Sequence, residues 1–230
     1  MRTTKSTRFV KTALLVLCGS VALVASSAWA TVVTWNLNPT GLNQAVGSSS
    51  QSYTVSGYTI AAYGYDNNDN GTGTLHGLFF KNAGGDEVGL GLINTTNNEL
   101  QVDSDGTPLH FIQLDITSIL AQGFINGKIE VGSVQSGELF NLYGSNTLGF
   151  LGAKLNATPY NSSVDDVFVS VPNFGTYKFI SVVAAAADVL PVAFQATITP
   201  IPEAAGLIPA VLVAIAATVF ETRRRRRATA

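Results

Sequence analysis

The chain has 230 residues, enough for one large domain or two small ones, and a formal net charge of −2. This total hides a strong segregation, because residues 31–203 carry four basic residues against fourteen acidic ones and the other basic residues lie near the termini. An acidic central region repels nucleic-acid phosphates, so we expect no nucleic-acid partner. The only cysteine, Cys18, lies in a segment that we expect to be removed. This excludes a disulfide or a cysteine metal site from the mature chain.

Residues 1–30 have the three parts of a secretory signal peptide. A basic stretch, MRTTKSTRFVK, precedes the apolar run TALLVLCGSVALVA. SSAWA then places Ala28 and Ala30 in the small-x-small arrangement that signal peptidase requires. We expect cleavage after Ala30. The alternative is an uncleaved membrane anchor, although the apolar run is shorter than the roughly 20 residues that a span needs.

Residues 31–199 consist of short apolar or alternating runs separated by clusters of Gly, Asn, Asp, Ser and Thr. This is the pattern of an antiparallel sandwich or barrel. TVVTWNLN, for example, places Val33, Trp35 and Leu37 on one face, as in a sheet with one wet side. GKIEVGSV and VAFQATIT alternate in the same way. Further strands are predicted at 51–65, 75–82, 87–93, 99–103, 109–116, 138–144, 167–172 and 177–185.

No segment of 31–199 has the period of an amphipathic helix, and DITSILAQG is expected to form a single turn at most. The segment has no repeat of fixed period, which argues against a solenoid or propeller. The sequence therefore predicts an all-β fold: one antiparallel β-sandwich of jelly-roll type spanning 31–199.

Residues 200–230 form a separate tail. The prolines in TPIPEAAG make a stiff boundary that cannot continue a central strand. Residues 204–220 are uncharged, and as a helix they would span about 25 Å, the short limit for crossing a bilayer. Arginines occupy 223–227. Positive charge resists translocation, so we expect the arginines in the cytoplasm and the acidic domain outside.

The order of Pro202-Glu203, an apolar run and an arginine cluster at the extreme C-terminus resembles the PEP-CTERM sorting signal of Gram-negative bacteria. The resemblance implies that an exosortase-type enzyme in the inner membrane removes the helix and arginines, and that the protein then reaches the cell surface or extracellular matrix. The family's third motif residue is proline, where this chain has Ala204. The alternative is a C-terminal anchor that is never cut. The residues expected to direct processing are Ala28 and Ala30 in the leader and, in the tail, Pro202, Glu203, Arg223, Arg224, Arg225, Arg226 and Arg227.

Catalytic motifs are almost absent from the sequence. His76 and His110 lie in strand-like segments, and no serine or acid at triad spacing accompanies them. GTGTLHG and GLGLIN lack the third glycine of a dinucleotide fingerprint and are interpreted as bulges or tight turns. Three carboxylate pairs offer the acids of a glycosidase, but neighbours on a strand point to opposite faces and those in turns are usually solvated. They are Asp86/Glu87, Asp103/Asp105 and Asp165/Asp166.

The best metal candidate is DNNDNG at 66–71. Asp66, Asn68 and Asn70 place oxygen ligands at alternate positions before a glycine, as in the first half of a calcium loop. The second half is missing, so a structural calcium ion would need a distant carboxylate such as Asp103 or Asp105. The alternative is an Asx-rich turn without metal. No other cofactor is expected.

Three functions follow from these patterns. The first is an exported, non-enzymatic surface or matrix protein. The second is a carbohydrate-binding module for extracellular polysaccharide, in which tyrosines near the Asx-rich segment would stack on sugars; these are Tyr53, Tyr58, Tyr63 and Tyr65. The third is a secreted glycan or ester hydrolase. Trp35, on an alternating strand, is expected to be buried.

Overall fold

The computed structural model describes residues 30–68, 71–85, 87–102, 107 and 109–199. The described residues do not include the leader up to residue 29 or the tail from residue 200. All the predicted processing residues except Ala30 lie in these two segments, outside the described residues. Within them the chain is mostly antiparallel β-sheet with very little helix, so the predicted all-β class is confirmed.

The described ranges contain fifteen strands and one short α-helix. The strands are Thr31–Asn36 (β1), Gln44–Ala45 (β2), Ser50–Val55 (β3), Tyr58–Asn67 (β4), Gly73–His76 (β5), Leu78–Asn82 (β6), Val88–Leu92 (β7), Leu100–Gln101 (β8), His110–Asp115 (β9), Phe124–Gly132 (β10), Leu139–Ser145 (β11), Ala153–Lys154 (β12), Val169–Ser170 (β13), Phe179–Ala186 (β14) and Asp188–Ile198 (β15). The helix, Thr117–Ala121 (α1), is the single turn expected from DITSILAQG. Two 3-10 turns span Thr96–Asn98 and Ser162–Val164.

The strands form three sheets. Sheet I has the order β1-β15-β10-β13, with β8 also pairing with β15. Sheet II has the order β12-β11-β14-β9-β4-β3, with β5 also pairing with β4. The small sheet has the order β2-β6-β7. From β9 onward the chain alternates between the two large sheets, except that the short β12 stays beside β11. Strands β9, β11, β12 and β14 belong to sheet II, whereas β10, β13 and β15 belong to sheet I.

Sheets I and II face one another across a common core. Val33, Trp35 and Leu37 of the first alternating run are all buried, which confirms the predicted face. The Trp35 ring lies 6.0 Å from the ring of Phe194 within sheet I, and its Nε1 donates a hydrogen bond to the carbonyl of Tyr58 in sheet II at 3.0 Å. A buried indole therefore has its one donor satisfied and ties the two sheets together.

Two predicted strands are divided by turns. The run 51–65 is a hairpin, because Ser56 and Gly57 both adopt positive φ, at 53° and 84°, and reverse the chain between β3 and β4. Tight two-residue hairpin turns require such angles, and a serine there gives a weaker signal than asparagine. The run 75–82 divides at Gly77, and its halves, β5 and β6, join different sheets.

Strand β15 is central in sheet I although Pro191 lies within it. Proline donates no ladder hydrogen bond and is tolerated in sheets at irregularities. The register between β10 and β15 shifts between Glu130 and Val131, beside the pairing of Val131 with Pro191. The shift accommodates the proline in the interior of the sheet.

Candidate functional site

Both histidines lie next to Asp66, and we call these three residues the histidine cluster. β4 pairs with β5 and with β9, which brings Asp66 beside His76 on one side and His110 on the other. His76 Nδ1 lies 2.7 Å from Asp66 Oδ1, and His110 Nε2 lies 3.5 Å from the same oxygen. Two histidines separated by 34 positions in the sequence therefore share one carboxylate through sheet pairing.

The two histidines have different surroundings. His76 Nε2 lies 2.6 Å from the carbonyl oxygen of Ile93, so both of its ring nitrogens face acceptors. Both ring nitrogens are thus engaged by groups of the protein itself. His110 Nδ1 is buried with no hydrogen-bond partner among the described residues. Burial lowers the pKa of His110, and the charge of Asp66 opposes that shift.

The calcium hypothesis stays a prediction. Asp66 Oδ1 makes the two histidine contacts just described, and the amide Nδ2 of Asn68 donates to Thr72 Oγ1 at 3.3 Å and to Thr74 Oγ1 at 3.4 Å. The remaining ligands proposed for the loop, Asn70 and Asp103 or Asp105, lie outside the described residues. Within the described ranges, no three His, Cys, Asp or Glu side chains are arranged to hold a metal ion.

The four tyrosines near the loop do not form one platform. Tyr53 is buried and its hydroxyl donates to the carbonyl of Leu37 at 2.9 Å, while the Tyr58 ring meets Phe124 edge-on at 4.8 Å. Tyr63 and Tyr65 instead stack at 6.5 Å and belong to a second cluster around Phe111. Because side chains alternate across a strand, sequence neighbours on β4 are divided between the two faces of sheet II.

Sequence reasoning missed a cluster of buried charges at the small sheet. Lys81 Nζ, on β6, contacts Glu99 Oε1 and Glu87 Oε2. Ser133 Oγ lies 3.4 Å from Glu99 Oε2 and 3.5 Å from Glu87 Oε1. We call these four residues the Lys81 cluster. The side chains of Lys81 and Glu99 are only 7% and 1% exposed, whereas that of Glu87 is 32% exposed.

The two carboxyl groups of the Lys81 cluster differ in proton affinity. Burial, helped by the hydrogen bond with Glu87, raises the pKa of Glu99 to about 8 against the opposing effect of Lys81. The hydrogen bond from Lys81 lowers the pKa of Glu87. Burial by itself would lower the pKa of Lys81, but its bonds to the two glutamates raise it above the ordinary value. The directions of these shifts favour an ammonium at Lys81, a carboxylate at Glu87 and a protonated acid at Glu99.

Two glycines of GLGLIN let β7 pack tightly beside this cluster. A Cβ on Gly91 would lie 1.7 Å from the carbonyl oxygen of Asn98, and a Cβ on Gly89 would lie 2.8 Å from that of Pro191. Gly89 pairs with Lys81 across β6 and β7. The two glycines thus serve close backbone approach within a regular strand, and the bulge or tight turn predicted for this motif was wrong.

A groove of about 730 Å³ lies at the β13 edge of sheet I. A register irregularity in β10 between Ile125 and Lys128 contributes one wall. The turn around Asn173 contributes the other, with the ring of Phe174 packed on Gly127. Amide, hydroxyl and aromatic groups line it together: Asn126, Asn173, Ser170, Thr197, Phe124 and Phe174.

The other predicted acids have structural partners where they are described. Asp165 Oδ1 accepts a hydrogen bond from the backbone N–H of Val134 at 2.9 Å, and the backbone N–H of Asp166 donates to the carbonyl of Val131 at 3.1 Å. Glu87 belongs to the Lys81 cluster, while Asp86 lies outside the described residues. Ala30 is exposed immediately before β1.

No helix in the described part of the chain combines the length and apolar character that crossing a membrane requires. Comparison of the chain with protein-family models, curated proteins and solved structures found no match.

Proposed function

We propose that this chain is an exported, non-enzymatic surface or extracellular-matrix protein, tethered and sorted through a PEP-CTERM-like tail. The observation that carries the proposal is the pair of terminal signals: a leader ending at Ala30, and a tail in which Pro202-Glu203, an apolar run and arginines 223–227 follow in order. Signal peptidase and an exosortase-type enzyme would process the two ends. The protein would pass through a membrane-tethered intermediate at the inner membrane before reaching the surface or matrix.

The jelly-roll topology is part of the same proposal. Its support is the alternation of strands from β9 to β15 between sheets I and II and the order β1-β15-β10-β13. Alternate crossing between two facing sheets is what distinguishes a jelly roll from an up-and-down sandwich.

Intact mass of the protein recovered separately from cells and from the medium tests the proposed route. We expect a chain that starts at Thr31 and ends near Glu203. Glu203→Ala should leave the tail uncut, whereas Glu138→Ala, outside the motif, should be processed normally. A mature start with the arginines retained would indicate a permanent anchor. Full-length soluble protein inside the cell, with both ends intact, would contradict export.

Carbohydrate binding is the second candidate, and the groove at the β13 edge favours it. Sugars bind where flat apolar rings lie among a few hydrogen-bonding groups, and Phe174, Asn126 and Asn173 supply both. Pull-down on insoluble polysaccharides should retain the wild type and lose Asn173→Ala. The matched control is Gln44→Ala, which removes an exposed amide on β2 of the small sheet. Equal retention of both variants would contradict the hypothesis that sugar binds in the groove.

A structural calcium ion at 66–71 is the remaining proposal, supported by the spacing of Asp66, Asn68 and Asn70. Bound calcium would raise the melting temperature by mass action. We expect the shift in the wild type and not in Asp66→Ala, with magnesium as the control cation. The same melting temperature with calcium and with chelator would contradict the hypothesis.

A further inference from the structure

The Lys81 cluster brings an amine and two carboxyl groups into direct contact in a nearly water-free place. Lys81 Nζ contacts one oxygen of Glu99 and one of Glu87. The side chains of Lys81 and Glu99 are almost wholly buried, and Glu87 reaches the surface. Holding two reacting groups in contact raises their effective concentration to about 10⁵ M or more. We propose that Lys81 and Glu99 become joined by an intramolecular amide bond between Nζ and Cδ.

The three ionisable groups hold complementary roles in this reaction. Lys81 supplies the nucleophile, which must first lose a proton to act. Glu99 is the electrophile, and its burial favours the neutral acid that an amine can attack. Glu87 is hydrogen-bonded to both Lys81 and Glu99, so it can take a proton from the amine beside the reacting carbon. Ser133 Oγ, 3.4 Å from Glu99 Oε2, is placed to donate to the oxygen on which negative charge develops.

The atoms and charges of the step balance. Lys81 begins as an ammonium, Glu87 as a carboxylate and Glu99 as a carboxylic acid. Glu87 takes one proton from Nζ, and the nitrogen lone pair forms a bond to Cδ of Glu99. As the tetrahedral species collapses, the C–O bond to one Glu99 oxygen breaks, and that oxygen leaves as water with a second proton from Nζ. The products are an amide, one water and protonated Glu87, so no oxidant, reductant or further reactant is needed.

Closure of this bond has two physical advantages for the fold. It replaces a buried ammonium and a buried acid by a neutral amide, which removes the cost of keeping an ion away from water. It also ties β6 to the segment before β8 in a chain whose described residues contain no cysteine. A cross-link of this kind restricts the unfolded chain in the same way as a disulfide.

Peptide mapping of the purified full-length chain, denatured before digestion with trypsin, tests the proposal. We expect no cleavage after Lys81 and a single tryptic peptide that ends at Lys128, contains both residues in a closed loop, and is lighter by one water than the same uncut sequence without the link. Lys81→Arg should give only linear peptides. Glu87→Gln keeps both joined residues but removes the base, and should slow linkage by about 10²-fold or more.

Glu138→Gln is the matched control. Glu138 is a nearby acid whose carboxylate binds the backbone N–H of Gln135 rather than Lys81, so its variant should remain linked. Quantitative tryptic cleavage after Lys81 in the wild type would overturn the proposal, because a free amine is required for that cleavage. A link from Lys81 to Glu87 would overturn the assignment of Glu99 as the electrophile. Equal linkage in wild type and Glu87→Gln would overturn the role of Glu87.

Discussion

The Lys81 cluster and the histidine cluster are both built from an acid and a base, yet water has very different access to them. In the Lys81 cluster the cation and one acid are almost fully buried, whereas the Asp66 side chain of the histidine cluster is 45% exposed. A charge that loses its partner inside the protein keeps its desolvation cost, but an exposed charge recovers its hydration. Polar contacts of similar geometry should therefore differ several-fold in their effect on stability.

Replacing Lys81 should have the largest effect. Lys81→Met removes the proposed amide and leaves Glu87 and Glu99 buried without their shared partner, and we expect the free energy of unfolding to fall by about 3–5 kcal/mol. Lys154→Met, at an exposed lysine on β12, should change it by less than about 0.5 kcal/mol. Urea unfolding of the two variants measures the difference. Similar small losses in both would contradict the contrast between buried and exposed charge.

The pH dependence of stability separates a free Glu99 carboxyl from a linked one. The folded pKa of about 8 lies above the ordinary value of 4.5, so the folded chain binds this proton more tightly than the unfolded chain. The stabilisation is complete below about pH 4.5 and is lost progressively as the pH rises to about 8.

We expect this decline in Lys81→Arg, which keeps the cation but forms no amide, at up to about 1.4 kcal/mol per pH unit. The wild type should lack it, since an amide does not titrate. Urea midpoints measured from pH 5 to 8 give the comparison. A wild type as steep as Lys81→Arg would contradict the link.

Breaking the ion pair of the histidine cluster should have a smaller effect. Asp66→Asn removes the carboxylate that binds His76 Nδ1 at 2.7 Å, and because Asp66 is half-exposed we expect a loss of at most about 1 kcal/mol. The loss should shrink at high salt, where exposed charges are screened. Thermal unfolding at low and high ionic strength provides the measurement. A loss of several kcal/mol that salt does not change would contradict it.

Replacing His110 should have the smallest effect and the opposite sign. Its Nδ1 is buried without a partner among the described residues, so His110→Phe should be neutral or stabilising by up to about 1 kcal/mol. Burial lowers its folded pKa below the ordinary 6.5, so the wild type should lose stability as the pH falls below about 6.5. The phenylalanine variant should lack that loss, which urea unfolding at pH 5 and 7 measures. Clear destabilisation at pH 7 would show that Nδ1 has a partner.

Much of the secondary structure could be predicted because alternation and turn residues act locally. The faces of β1, β10 and β15, the burial of Trp35 and the short helix α1 are confirmed. The hairpin turn at Ser56 could not be located from a serine alone, since few serines adopt positive φ. Export through the leader and sorting through the tail, both proposed from the two terminal segments, remain predictions.

The amino-acid sequence by itself determined the β class and most strand faces, because side-chain alternation and turn chemistry depend on neighbours along the chain. Only the tertiary structure decided which polar groups meet. Along the sequence, Lys81 precedes β7, Glu99 follows it, and Ser133 comes directly after β10. Nothing in the sequence next to these three residues distinguishes them from solvated residues. Their contact arises from sheet packing, and the burial that packing imposes is what gives the cluster its chemistry.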